Sequence, residues 1–291
     1  MSPVAMKELQ QRPPYSSIVP VARLVRRAIR GVVNGYALRR LALAHGPEGR
    51  IVADVVRQAN GPLSDEDRAP LVEIENHRQW LLRQADPLVD GTLGPAGLYD
   101  DGVSIQSACR ASKQPAVARF LYHLIRAFRP SVVLELGTNL GISSAYQAAA
   151  LRRNGQGVLV TLEASPYRAR LAQELHRRLG LTNVTYVQGL FADTLATTLE
   201  KIGPVDFSFI DGHHQFQPTL DYFDAVWRHS NPRAVFVFDD IRWSAGMTQA
   251  WSVLCSDRRL PLVVDLDGLG VCLASPDSRR FRSPRMRRAF R

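Results

Sequence analysis

The feature that most constrains this chain is the run Val132-Val133-Leu134-Glu135-Leu136-Gly137-Thr138-Asn139-Leu140-Gly141-Ile142-Ser143-Ser144. An apolar, β-branched run of this length suits a parallel strand covered on both faces. It leads into a glycine-rich turn, where Gly137 and Gly141 let the backbone bend tightly and approach a ligand that a Cβ would exclude. Ser143 and Ser144 then open a helix whose first N–H groups and positive dipole end can meet a polar or anionic group. Glu135 carries the chemistry of the stretch. A carboxylate near the end of a buried strand is costly unless paired or left at the open edge of the sheet, and that edge is where open α/β sheets bind ligands.

Downstream, helices and strands alternate. The patterning predicts helices at Ser143–Arg152, Tyr167–Leu179, Phe191–Lys201, Thr219–Trp227 and Met247–Cys255. Between and after them it predicts strands at Val158–Leu162, Val184–Val187, Phe207–Ile210, Val235–Phe238, Leu262–Leu266 and Val271–Leu273. Such alternation argues for a doubly wound, mostly parallel sheet. The link Asp267 to Gly270 is too short for a parallel crossover, so the last strand should be antiparallel. The expectation is a Rossmann-like, seven-stranded α/β sheet with an N-terminal helical extension.

Upstream, Pro3, Pro13 and Pro14 suggest poor order over residues 1–15. Val21, Leu24, Val25, Ile29, Val32 and Val33 interleave with Arg23, Arg26, Arg27 and Arg30 as a basic amphipathic helix. A helix over Asp65–Gln84 is expected to bury Leu71, Ile74, Trp80 and Leu81, and a Gly/Pro-rich loop over 86–112 is expected to face substrate. A helix over Pro115–Phe128 leads into the first strand. The expected division is 1–112 as a helical lid region, 113–274 as the catalytic domain and 275–291 as a basic disordered tail.

Charge follows the same division. The net +10 arises from the ends: residues 1–60 hold ten Lys/Arg against three Asp/Glu, and 275–291 hold seven against one. The middle is slightly acidic, which argues against a nucleic-acid partner at the catalytic body. Three widely spaced cysteines offer neither metal-ligand spacing nor a disulfide framework. With no signal-peptide pattern and no membrane-spanning apolar run, a cytoplasmic location is the expectation. The N-terminal helices offer a surface for a homodimer.

The spacing Glu135-x-Gly137-x-x-x-Gly141 resembles the first motif of the class I S-adenosylmethionine-dependent methyltransferases and differs from a dinucleotide fingerprint. With Phe209-Ile210-Asp211-Gly212-His213-His214 and Asp239-Asp240-Ile241-Arg242-Trp243-Ser244, the likeness extends over about residues 70–274 to a bacterial family of that class. It implies S-adenosylmethionine as methyl donor, met by Glu135, Gly137, Thr138, Asn139, Gly141, Ser143, Ser144, Glu163, Ala164, Gly189, Phe191 and Asp211. Glu163, closing an apolar strand, has two acceptor oxygens suited to a ribose diol. Phe191 is expected on the adenine or in the core.

Asp211 and Asp239 close adjacent predicted strands, so three carboxylates and two imidazoles should converge there. This resembles the metal-dependent O-methyltransferases, which implies Asp211, Asp239 and Asp240 as magnesium ligands and His214 as base, with Asp211 also catalytic. The catechol branch has Asp-Asn where this chain has Asp239-Asp240. A metal-free arrangement stands beside it: Asp211 faces the cofactor, Asp239 caps the next helix, and His214 works alone or with Asp240. The reading is O-methylation of a small-molecule hydroxyl, such as a sugar, a phenol or another natural product. A base methyltransferase would carry Asn/Asp-Pro-Pro-Tyr/Phe in place of Asp211-Gly212-His213-His214, and a non-catalytic cofactor-binding module would not need the acidic cluster.

Overall fold

In the computed structural model, residues 38–43, 46–88 and 103–277 are described; the expectations for residues 1–33, for most of the 86–112 loop and for the tail lie outside them. The chain divides into two compact units, residues 1–53 and 54–291. Helix α1, Gly46–Asn60, spans that division, and everything below concerns the second unit.

Seven strands form one sheet in the order β3-β2-β1-β4-β5-β7-β6. They are β1 (Val132–Leu136), β2 (Val158–Glu163), β3 (Val184–Gln188), β4 (Val205–Ile210), β5 (Ser230–Phe238), β6 (Leu262–Asp265) and β7 (Gly270–Leu273). Strands β1 to β5 are parallel, and β7 runs antiparallel to both β5 and β6, as the short link between Asp265 and Gly270 requires. The strand order reverses between β1 and β4, which puts a ligand crevice at the carboxyl ends of those two strands.

The helices are α2 (Asp65–Leu81), α3 (Ile105–Arg110), α4 (Pro115–Phe128), α5 (Ile142–Asn154), α6 (Pro166–Arg178), α7 (Phe191–Ile202), α8 (Phe216–Arg228) and α9 (Ala245–Cys255). Right-handed crossovers running in opposite directions along a sheet fall on opposite faces. Thus α5 and α6 cover one face, and α7 and α8 the other. Leu195, Leu199, Phe223, Val226, Trp251 and Leu254 pack there against Leu134, Val160, Phe236 and Phe238. Helix α5 is buried along nearly its whole length because α4 lies over it.

Helix α2 starts on an Ser64 cap, whose hydroxyl accepts from Asp67 N–H, with three acidic residues in its first turn. It is tied to the body by Tyr146 Oη donating to Glu75 Oε1 at 2.8 Å, by Tyr122 to Asp67 and by the Arg153–Glu66 ion pair. Leu71, Ile74 and Leu81 are buried as expected, but Trp80 is 42% exposed. The inward position belongs instead to Arg78, paired with Glu75 at 2.9 Å, while Trp80 lies under the Arg178 guanidinium. A buried arginine was invisible to a reading that places only apolar side chains inside.

The two motif glycines are required by protein packing. A Cβ on Gly137 (φ 103°) would lie 2.0 Å from the carbonyl oxygen of Asp211, and one on Gly141 (φ 83°) would lie 2.8 Å from Ala172 Cα and Cβ. The first lets β1 and β4 approach; the second lets α5 and α6 approach. Gly137→Ala is expected to push Asp211 aside, lowering stability by about 2 kcal/mol or more and weakening S-adenosylhomocysteine binding; melting and calorimetry on the variant check both.

At the same junction His176 is buried, with Nε2 3.0 Å from the Gly141 carbonyl and Nδ1 2.6 Å from Tyr186 Oη. Burial holds its pKa down at about 4, against an ordinary 6.5. The folded state therefore resists protonation: stability present above pH 6.5 is lost as the pH falls towards 4. The full difference is about 3 kcal/mol. His77 and His123 shift in the same direction. Urea unfolding at pH 7.5 and 4.5 is expected to show a smaller acid loss for His176→Gln than for wild type.

Candidate active site

The carboxyl ends of the central strands continue their ladder past the last paired residues. Gly137 N–H donates to Leu162 O, Asp211 N–H to Leu136 O, Asp239 N–H to Ile210 O and Gly189 N–H to Glu163 O, all at 2.9–3.0 Å. These bonds fix the tips in register, so Asp211 and Asp239 emerge side by side. Around them opens a cavity of about 840 Å³. Its wall includes Gly137, Asn139, Glu163, Ala164, Phe191, Asp211, His214, Asp239 and Asp240.

Other motif residues lie beneath that wall. Glu135 is fully buried, and its carboxylate accepts from Ser143 Oγ at 2.7 Å, Gln147 Nε2 at 2.6 Å and Thr161 Oγ1 at 2.6 Å. Thr161 gives its one proton to Glu135, so Thr138 Oγ1 donates to Thr161 across 2.6 Å. Burial outweighs those hydrogen bonds and pushes the Glu135 pKa up to about 7. Ser144 turns to His176, and Gly189 (φ 140°) faces Thr194. Glu135, Thr138, Gly141, Ser143 and Ser144 therefore shape the turn from below, and neither they nor Gly189 line the cavity.

Glu163 is different. Its Oε2 accepts from Asn139 N–H at 2.8 Å and its Oε1 from Ser165 N–H at 3.0 Å, and burial raises its pKa. Each carboxylate oxygen keeps a lone pair for another donor from the cavity. The cap of α6 is supplied by Ser165. Phe191, the first residue of α7, meets Tyr222 edge-on with centroids 5.6 Å apart. A Cβ on Gly212 would be 2.7 Å from the Phe191 ring, so the base-contact candidate also packs the cavity wall.

Backbone conformation marks the same place. Among the described residues, Asn139, His213, His214, Asp240 and Asp267 have positive φ and line the cavity; Arg129 is the one other non-glycine with positive φ. Left-handed backbone in non-glycine residues costs energy and concentrates at functional sites.

The acidic cluster has an occupant that sequence patterning did not single out. Lys113, in the turn before α4, places its ammonium 3.1 Å from Asp211 Oδ1, in contact with Asp239 Oδ2 and 3.9 Å from Asp240 Oδ2. A signal existed. The sequence has only three lysines, Lys7, Lys113 and Lys201, against a background of arginine, and this one precedes the strand whose neighbours end in carboxylates. His214, 7% exposed, holds Nε2 3.7 Å from Asp211 Oδ1 and 3.6 Å from Asp240 Oδ2. Asp239 does not cap α9; the Ser244 hydroxyl does, accepting from Met247 N–H at 3.1 Å.

Among the described residues, the set with metal-ligand proximity is Asp211, His214 and Asp240, with one ligand atom from each within 4.8 Å of the others. Asp239, expected to be a ligand with Asp211 and Asp240, is in contact with the Lys113 ammonium. Magnesium demands oxygen donors at about 2.1 Å. An ion on Asp211 Oδ1 and Asp240 Oδ2 would face the Lys113 ammonium, which approaches the same two atoms. With Lys113 in place, the arrangement does not fit magnesium.

Comparison with known proteins accords with this architecture. Residues 134–241 match a family model described as a methyltransferase domain. The chain is 36% identical over 132 residues to a catechol O-methyltransferase of Niastella koreensis, covering 45% of this chain and 58% of that protein. It is 28% identical over 106 residues to a putative O-methyltransferase of a Mycobacterium species, covering 36% of this chain and 46% of that protein. The chain thus spans about half the length of these curated relatives. Among solved structures, an O-methyltransferase from Bacillus cereus in complex with S-adenosylhomocysteine superposes with a TM-score of 0.53 at 22% identity, covering 74% of this chain and 92% of that one. A Podospora anserina methyltransferase with S-adenosylhomocysteine bound gives 0.55 at 16% identity, covering 79% and 96%. The two superpositions establish the fold, and the family match falls on the strands and turns that build the cavity. The chain therefore shares its fold with these two structures and is similar to methyltransferases over residues 134–241.

Proposed function

We propose that this protein transfers a methyl group from S-adenosylmethionine to a hydroxyl of a small-molecule acceptor, with His214 as general base. One observation carries the reading: the Gly137–Asn139 turn and Glu163 open onto the same cavity as His214, Asp211 and Asp240. A donor on the first group would present its methyl towards the second.

Each residue then has a physical role. The remaining lone pairs of the Glu163 carboxylate accept from the ribose hydroxyls, and Phe191 borders the base. Asp211 and its acidic neighbours favour a sulfonium cation in a site largely removed from water. The Nε2 of His214 stands beyond hydrogen-bond length from both carboxylates, which leaves its lone pair for an acceptor hydroxyl. A proton taken there forms an imidazolium between Asp211 and Asp240, whose charges stabilise it. Attack by the deprotonated oxygen on the methyl carbon forms the O–C bond as the S–C bond breaks, leaving neutral S-adenosylhomocysteine. Holding both reactants in line lowers the barrier further. Trp243, 62% exposed with its ring 6.2 Å from that of His214, stands at the acceptor side and suits a flat or ring-shaped acceptor.

Calorimetry with S-adenosylmethionine, followed by product release across a panel of phenols and sugars, tests the reading; no binding of the donor would end it. His214→Ala is expected to lower kcat by about 100-fold or more while S-adenosylhomocysteine affinity stays within about twofold. Glu163→Ala is expected to do the reverse, weakening donor binding by about tenfold or more with a smaller effect on turnover at saturation.

A further inference from the structure

We infer that Lys113 is the resident cation of the Asp211–Asp239–Asp240 cluster, a positioning residue that supplies the positive charge a divalent metal would otherwise bring. The purpose of the cluster rests on the methyltransferase reading above. The identity of its occupant does not.

The argument begins with desolvation. The Lys113 side chain is 12% exposed, as is that of Asp211, and that of Asp239 is 8% exposed. Taking an ammonium or a carboxylate out of water costs several kcal/mol each unless an opposite charge lies against it. Each group here makes burial of the other tolerable. Among the described residues, the ion pairs made by these three carboxylates are with Lys113 and His214 alone. His214 must stay neutral to act as a base, so it cannot also serve as the permanent counter-charge. Lys113 is left as the group that keeps Asp211 and Asp239 together at the strand tips.

Lys113 also has a reason to be fixed there. The preceding turn is held to the motif turn by Asn139 Nδ2, which donates to Ala108 O at 3.0 Å and lies 3.3 Å from Ser112 Oγ. Pro115 then starts α4 immediately downstream. The ammonium is delivered by a short, anchored segment, and the same segment forms one wall of the cavity. By drawing on Asp211 Oδ1, Lys113 sets how strongly that oxygen engages His214 Nε2. The cluster stays net negative after Lys113 is counted, which still favours an incoming sulfonium.

Removal of Lys113 should then create a metal site rather than only damage the fold. The experiment uses the full chain as wild type, Lys113→Met, Lys113→Arg and the double variant Lys113→Met with Asp240→Asn. Free Mn²⁺ is titrated by electron paramagnetic resonance, with S-adenosylhomocysteine calorimetry and thermal melting alongside. Wild type and Lys113→Arg are expected to bind no Mn²⁺ at submillimolar concentration. Lys113→Met is expected to bind Mn²⁺ about tenfold tighter or better than wild type, and the added Asp240→Asn to abolish the gain. Turnover of wild type on the best acceptor of the panel is expected to persist in excess chelator.

Tight Mn²⁺ binding by wild type would overturn the assignment, as would a folded Lys113→Met that gains no site. If Lys113→Met does not fold, wild type and Lys113→Arg still decide, since tight metal binding by either refutes the claim and its absence from both supports it. If wild type binds no S-adenosylhomocysteine, the methyltransferase reading fails while the Mn²⁺ titration still reports on Lys113.

Discussion

Carboxylates are hard to remove from water, and the arrangement of this domain around its sheet edge follows from how each one is compensated. Glu135 lies deepest and is met by three neutral side-chain donors, which do not fully offset its burial. Glu163 lies at the cavity wall and takes two backbone N–H groups from the turns it joins. Asp211 and Asp239 stand at the tips of β4 and β5 and share an ammonium. The progression from neutral donors to backbone donors to a full positive charge tracks the crowding of like charge, because a carboxylate beside another needs more than hydrogen bonds.

That ordering also separates scaffold from site. The carboxylate of Glu135 is consumed in holding β1, β2 and α5 around the motif turn, so its effect on a ligand is indirect. The carboxylates of Glu163, Asp211 and Asp240 retain acceptor capacity towards the cavity. The two glycines of the motif divide in the same way, Gly137 bringing β4 against the turn and Gly141 bringing α6 against α5. A motif that reads as one ligand-binding unit is, in three dimensions, mostly a joint between elements, with Gly137 and Asn139 as its cavity-facing members.

Positive backbone angles gather at this edge for a related reason. His213 and His214 (φ 66° and 29°) leave β4 in a tight left-handed path that turns one imidazole to Tyr222 and the other towards Asp211 and Asp240. A relaxed exit from the strand would send both along the following loop. The cost is absorbed by the packed sheet behind, and the result is an imidazole held 3.7 Å and 3.6 Å from two carboxylates.

The sequence alone determined the fold, because the period of its apolar residues and the four-residue link before Val271 admit few topologies. It also pointed to the strand ends of β1, β2, β4 and β5, where the structure opens a cavity, since polar groups interrupting buried strands are local signals. Three-dimensional packing decided which motif side chains face the cavity, turned Trp80 outward in favour of Arg78, and brought Lys113, nearly a hundred residues upstream of Asp211, onto the strand tips. Pattern along a chain reports which groups leave water. Which opposite charge meets them there is a matter of distance in space, and a lysine in a turn carries no periodicity that discloses its partner.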